Sequence, residues 1–229
     1  MIVPPANTDT GTVGVVYREI KQRITERVYK PGDKLSEVKL AAEFGIGRSP
    51  VRTALARLQH EGWIEVLPQS GTFVRGLSDA EIVEILETRI MLESYLAGRA
   101  ARTMDDADIA ELRLAFTNFG NQFGSGRIDE YLELDQLFHV AIYKAAASSI
   151  VADFLFNLID KVRWIRRGSA RNLKRFREAY AEIRLVLDAI EARNEEAASA
   201  AMRTHIENFL EFRTIKPPRR ITDQPGKER

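Results

Sequence analysis

The 229-residue chain has no cysteine, only three histidines and only two tryptophans. Without cysteine there are no disulfides, no thiolate metal sites and no cysteine nucleophile, a composition that fits a reducing cytoplasm. No run approaches the roughly 18 consecutive apolar residues of a membrane span. The opening "MIVPPANTDTGTVG" lacks both a basic start and an apolar core, so it does not read as a secretory signal. Residues 1–12 read instead as a flexible lead-in. Neither sign of charge dominates, with 34 basic and 33 acidic residues for a net +1. That balance hides a gradient: residues 1–77 carry +3, residues 78–214 carry −5 and residues 215–229 carry +3. A mildly basic front and an acidic middle point to different partners for the two parts. What is present is ordinary for a globular protein, 45% apolar and 29% charged. The length suits one large or two small domains.

From Val15 to Val28, apolar residues Val16, Ile20, Ile24 and Val28 recur every four positions, which predicts a helix. "KPGDKL" (Lys30 to Leu35) stops it with proline and glycine. Ser36 is placed to cap a short helix, "EVKLAAEF", and Gly45 and Gly47 break the chain after it. Ser49 then reads as the N-cap of a further helix, with Pro50 at its first position and Val51, Leu55 and Leu58 on its apolar face. After Gly62, "WIEVLP" and "TFVRG" are two β-rich runs joined by "QSG", a hairpin. Three helices and a hairpin over residues 13–76 form the plan of a winged helix-turn-helix.

Beyond it, Ser78 and Glu81 have the spacing of a capping box. Helical patterns follow near 79–103, 106–122, 128–147, 150–168, 172–193 and 195–214, with short connections. The expected fold is therefore mainly α, a winged helix-turn-helix followed over residues 77–214 by an antiparallel bundle of about six helices. The tail, residues 215–229, contains "KPPRRITDQPGKER", basic and poor in apolar residues, and reads as disordered.

In a helix-turn-helix the second helix of the motif enters the major groove with its N-terminal residues toward base edges. Arg48 and Arg52 flank Ser49-Pro50 there, and the arginine fork matches guanine O6 and N7. Ser49 and the helix N-terminus suit a phosphate, Lys39 is a phosphate anchor, and Gln69, Ser70, Gly71 and Thr72 are small and polar enough to lie along a backbone or groove. Arg57, two turns in, pairs with a phosphate or an acid. His60 reads as structural or solvent-facing.

"PGDKLSE", "LAAEFGIGRSPVRTALARL", "EGWI" and "GTFV", with their spacings intact, resemble the winged helix-turn-helix of the GntR family of bacterial transcription regulators. The resemblance implies that Arg48 and Arg52 read guanine and that the turn around Gly71 is the wing. Gly47 stands where that family usually has serine or threonine, which implies one lost phosphate contact.

"ETRIMLESYLAGRAA" (87–101), "LDQLFHVAIYKAA" (134–146) and "LDAIEARNEEAASAAMRTHIENFL" (187–210) resemble the helical FCD domain of the FadR subfamily. Such domains take a small organic acid into the bundle core, commonly beside a metal held by one aspartate and three histidines. Periodicity bears on the ligands independently. Asp135 and His139 are i, i+4 beside the stripe of Tyr131, Leu134, Phe138 and Ile142. His205 lies on the stripe of Ala198, Ala201, Met202, Phe209 and Phe212. A carboxylate with imidazoles suits a divalent metal such as Zn, Ni or Mn. Ile183 stands where the resemblance implies the remaining histidine, so three ligands are left. Either they hold the metal with water or effector oxygens, or Asp135 pairs with His139 or an arginine as a satisfied core network.

Arg89, on the inward stripe of Ile82, Ile85, Leu86 and Leu96, is either a clamp for the effector carboxylate, as the resemblance implies, or the partner of Glu93 at i, i+4. Arg163, in "KVRWIRR", is a further candidate for the cavity. Ser148 and Ser149 stand where the family usually has an asparagine. The expected function is a ligand-responsive transcription regulator, a repressor by family default and no enzyme, binding operator DNA as a homodimer and sensing a small carboxylate. The alternatives are a metal-dependent hydrolase built on the Asp/His cluster and a ligand-independent architectural DNA-binding protein.

Overall fold

The computed structural model describes residues 11–120, 127–169 and 172–215. Residues 1–10 of the expected lead-in and 216–229 of the expected tail lie outside them.

Val16, Ile20 and Ile24 are buried along one face of α1 (Thr12–Thr25), as their spacing predicts. Val28 does not join them. Arg27 takes a left-handed φ of 59° just after the C-cap, its N–H closing onto Ile24 O, so Val28 is exposed outside the helix. The short helix α2 (Glu37–Phe44) starts at Ser36, whose side chain accepts from the Lys39 amide. It stops at Gly45, where φ of 64° lets the Ile46 amide bond back to Ala41 O at 3.0 Å. The next helix, α3 (Arg48–His60), begins earlier than expected. Its cap is Gly47, without a side-chain cap bond, and Ser49 and Pro50 are its second and third residues. Proline fits there because the first four helix amides have no intrahelical acceptor. Val51, Ala54, Leu55 and Leu58 are buried, and α3 packs on α1 and α2.

The hairpin forms from β2 (Ile64–Leu67) and β3 (Gly71–Val74), antiparallel with Ile64 opposite Val74 and Leu67 opposite Gly71. A further strand, β1 (Lys34–Leu35), pairs with the other edge of β3, giving the order β1-β3-β2. Two residues are too few for alternation to show, which is why "KPGDKL" reads only as a helix stop.

Six helices follow among the described residues: α4 (Asp79–Thr103), α5 (Asp106–Gly120), α6 (Ile128–Ala145), α7 (Ser149–Gly168), α8 (Leu173–Glu191) and α9 (Glu195–Ile215). The capping box opens α4: the Ser78 amide donates to Glu81 Oε2 at 2.8 Å, and the Glu81 amide to Ser78 Oγ at 3.2 Å. Aromatic side chains of α5, α6 and α8 interleave, with Phe116 edge-on to Phe138 and stacked on Tyr180, and Tyr131 tilted against Phe176. Such pairs add to the area they bury. The mainly α fold with a small winged sheet is the one expected.

Two compact units divide the chain. One holds the described residues through Ile82 together with Ile159–Arg167, and the other Val83–Leu158 with the residues from Gly168 onward. The first unit thus gains the last turns of α7, where Trp164 is buried under the Arg27 guanidinium, 3.7 Å from the ring centre. Among the described residues no helix is long and apolar enough to cross a membrane.

Candidate functional site

In the first unit, α3 exposes its N-terminal turn because its apolar residues hold down the opposite face. Arg48, Ser49 and Arg52 are all exposed on that turn, and Lys39 is exposed on α2. Both arginines meet one acid. Glu37, the first residue of α2, accepts from Arg52 Nε at 3.2 Å and Nη2 at 3.0 Å, and lies 3.7 Å from Arg48 Nη2. Those bonds, Arg52's first, hold the Glu37 carboxyl below its ordinary pKa. From sequence alone, Glu37 has no assigned role.

At the hairpin tip, Gln69 (φ 62°) and Ser70 are exposed, while Gly71 and Thr72 are half-buried. Gly71 has φ of 121°, a conformation that favours glycine; a Cβ there would come within 2.7 Å of Lys34 Cε, the mobile end of a side chain that can swing aside. Arg57 pairs with an acid, Glu61, at 3.2 Å, its guanidinium 3.8 Å over the Tyr17 ring. His60 is exposed.

In the second unit Asp135, His139 and His205 are buried, as their periodicity predicts, and the packing of α6 and α9 brings their ligand atoms within 4.8 Å of one another. The centres of the two imidazoles lie 5.5 Å apart, with the ring planes inclined at 29°. Each ring has its Nδ1 on a carboxylate. His139 Nδ1 donates to Glu93 Oε2 at 2.5 Å, and His205 Nδ1 to Glu182 Oε2 at 2.9 Å. These bonds fix the ring orientations, and in the neutral ring they leave Nε2 as the lone-pair donor.

Glu93 is wholly buried. It also accepts from Arg89 Nε at 2.5 Å and from the Tyr143 hydroxyl at 2.7 Å. Burial pushes its pKa up, but the charges of Arg89 and His139 outweigh this and hold it well below the carboxylate range. Arg89 therefore makes the ion pair with Glu93 and still reaches the cluster, with Nη2 3.4 Å from both ring nitrogens of His139. Glu182 accepts a fork from Arg175 at 2.9 and 2.7 Å and a bond from Asn208 at 2.8 Å. Burial raises it, the bonds from His205 and Arg175 lower it further, and its pKa settles at about 2.

Ile183, next to Glu182, is fully buried. Arg163 has a different partner from the one sought in the cavity: its Nε meets Glu26 Oε1 at 2.6 Å within the first unit. Sequence reading missed the parts played by Tyr143, Glu182, Arg175 and Asn208. The one signal was Glu182 beside the position where a histidine is expected.

The donor set fits a divalent transition metal. One carboxylate and two imidazoles, each ring braced on its far nitrogen by a glutamate, match what such ions select and how proteins orient histidine ligands.

Residues 12–74 match the family described as bacterial regulatory proteins, gntR family, and residues 84–208 match the FCD domain. The chain is 26% identical over 199 residues to the HTH-type transcriptional repressor RspR of Escherichia coli (strain K12), covering 86% of both chains. It is 32% identical over 170 residues to the gluconate operon transcriptional repressor of Bacillus licheniformis, covering 74% of this chain and 69% of that one. Among solved structures, E. coli McbR/YncC shares the fold with a TM-score of 0.72 and 21% identity, over 90% of this chain and 99% of that one.

Proposed function

Since the chain belongs to the GntR family of bacterial regulatory proteins and carries an FCD domain behind its DNA reader, we propose that a small carboxylate in the core of the helical bundle controls how its winged helices bind operator DNA. It is a ligand-responsive, DNA-binding transcription regulator and not an enzyme; relatives named as repressors favour repression. The hydrolase reading is thereby set aside.

The observation that carries the carboxylate reading is the polar centre of the bundle. Arg89, Glu93, Asp135, His139 and His205 are buried together where apolar side chains would stabilise the fold better. A ligand-independent architectural protein has no use for such a cluster. In our reading Arg89 takes the effector's carboxylate, and Asp135, His139 and His205 hold a divalent metal. The metal would supply a Lewis-acidic position for effector oxygens. Glu93 and Glu182 keep the imidazoles turned. Arg163, engaged by Glu26, is left out of this proposal.

On DNA, Arg48 and Arg52 read base edges, Lys39 and Ser49 contact phosphates, and the wing at Gln69, Ser70, Gly71 and Thr72 follows the backbone. One short helix reads too few bases for useful specificity, so the operator is a palindrome and the regulator a homodimer. Two exposed i, i+4 apolar pairs of the second unit support self-association, Met91 with Tyr95 on α4 and Ile150 with Phe154 on α7. A regulator that reads operator DNA works in the cytoplasm. The effector acts by population shift, favouring one arrangement of the paired readers.

The test is Arg52→Ala against a panel of base-substituted duplexes, read by fluorescence anisotropy. The expected loss is roughly 10-fold or more, with relaxed preference at one base position. A uniform loss across all sequences would make Arg52 a phosphate contact and refute its role as a reader.

A further inference from the structure

An acid on a surface built to meet phosphates opposes binding, yet Glu37 stands between the two arginines proposed to read bases. Stability does not explain it. The side chains are 61% (Arg48), 67% (Arg52) and 28% (Glu37) exposed, and ion pairs this open contribute little. The start of α2 tolerates an acid, since the helix dipole favours one there. Tolerance does not account for the bond pattern.

A guanidinium has two edges that can donate in parallel, Nε with Nη2 and Nη1 with Nη2. Glu37 occupies the first edge of Arg52 through both carboxylate oxygens, at 3.2, 3.3 and 3.0 Å. The second edge stays available, and it is the one that meets guanine O6 and N7 end-on. The same Oε2 lies 3.7 Å from Arg48 Nη2. Arg48 and Arg52 are i, i+4 on α3, where like charges repel; the carboxylate between them offsets that repulsion and links the two.

We propose that Glu37 is a positioning residue for DNA recognition, holding Arg52 end-on and Arg48 beside it so that two flexible side chains are pre-arranged before DNA arrives. This rests on the reading of Arg48 and Arg52 as base readers. Pre-arrangement lowers the ordering cost of binding, which is significant for a side chain as rotamer-rich as arginine. The acid also weakens binding to any duplex lacking the matching guanines, so Glu37 trades non-specific affinity for discrimination.

The experiment uses the full-length protein and two duplexes, one enriched from a randomised library by the wild type and one scrambled, at a single salt concentration. Glu37→Gln removes the charge. Glu37→Asp keeps the charge but draws the carboxylate back by one methylene. Both should bind the enriched duplex about 3- to 10-fold more weakly. On the scrambled duplex Glu37→Gln should bind more tightly than wild type, and Glu37→Asp about equally. In an Arg52→Ala background each change should cost much less affinity for the enriched duplex, because the side chain held by the hydrogen bonds is gone and only the longer Arg48 contact remains. Unchanged melting temperatures verify that both variants fold. Equal strengthening on both duplexes by Glu37→Gln would overturn the proposal, making Glu37 a mere repulsive charge. So would a full Glu37 effect persisting without Arg52. If Arg52→Ala itself leaves the enriched sequence unchanged, the base-reader reading fails independently of Glu37.

Discussion

Glu93→Ala is the most demanding test of the bundle core. The carboxylate is wholly buried and accepts from three donors, Arg89 Nε, His139 Nδ1 and Tyr143 Oη, at 2.5, 2.5 and 2.7 Å. Alanine leaves all three without that acceptor and leaves the Arg89 charge without its closest counter-charge. Breaking a buried pair from one side costs about 3–5 kcal/mol. For a chain of this size each kcal/mol lowers the melting temperature by roughly 2–4 °C, so a fall of about 6–20 °C is expected. The double variant Glu93→Leu with Arg89→Met, which removes both charges, should recover much of that loss. Differential scanning calorimetry is the appropriate assay, because it reads the unfolding of both compact units, whereas Trp63 and Trp164 both lie in the first. A loss under about 1 kcal/mol for Glu93→Ala would mean that the acid is reached by water, and the buried network as described would be wrong.

Elemental analysis of protein purified without chelators should find a stoichiometric divalent metal that is lost in Asp135→Ala; none after soaking with Zn, Ni and Mn would make the cluster a metal-free carboxylate site. In the reader unit, burial raises the Glu61 pKa, but the Tyr17 hydroxyl bonds at 2.7 and 2.6 Å and Lys21 at 3.0 Å lower it overall. A depressed carboxylate stabilises the fold above its unfolded pKa of about 4.3 and loses that contribution as pH falls through the folded value. Glu61→Gln should therefore be less stable than wild type at neutral pH and should flatten the acid limb of a melting profile followed by tryptophan fluorescence; an unchanged limb would refute the coupling. Gly71→Ala forces a side chain into φ of 121°, at a cost of order 1–3 kcal/mol, and should lower the reader's melting temperature while weakening DNA binding. An unaffected melt would show that the wing turn carries no such strain.

Local spacing was enough to expose most of the architecture. The four-residue rhythm of Val16, Ile20 and Ile24, the Ser36 cap and the Ser78–Glu81 box each depend on neighbours within one helical turn, and these are near in sequence as well as in space. The same holds for Asp135 and His139, whose i, i+4 spacing places them on one face. Errors arose where a boundary is set by something other than periodicity. Gly47, rather than Ser49, caps α3, and α1 closes before Val28 because Arg27 turns left-handed.

Contacts between distant segments were decided by the tertiary structure alone. Glu93 reaches His139 across 46 positions, Glu182 reaches His205 across 23, and Glu37 takes Arg52 across 15. No rhythm in the chain relates such pairs, because their distance depends on how helices pack and not on the pitch of any one helix. Burial then sets their chemistry: the same glutamate side chain is an ordinary acid on a surface helix, and in the bundle core it is a fixed charge that orients an imidazole.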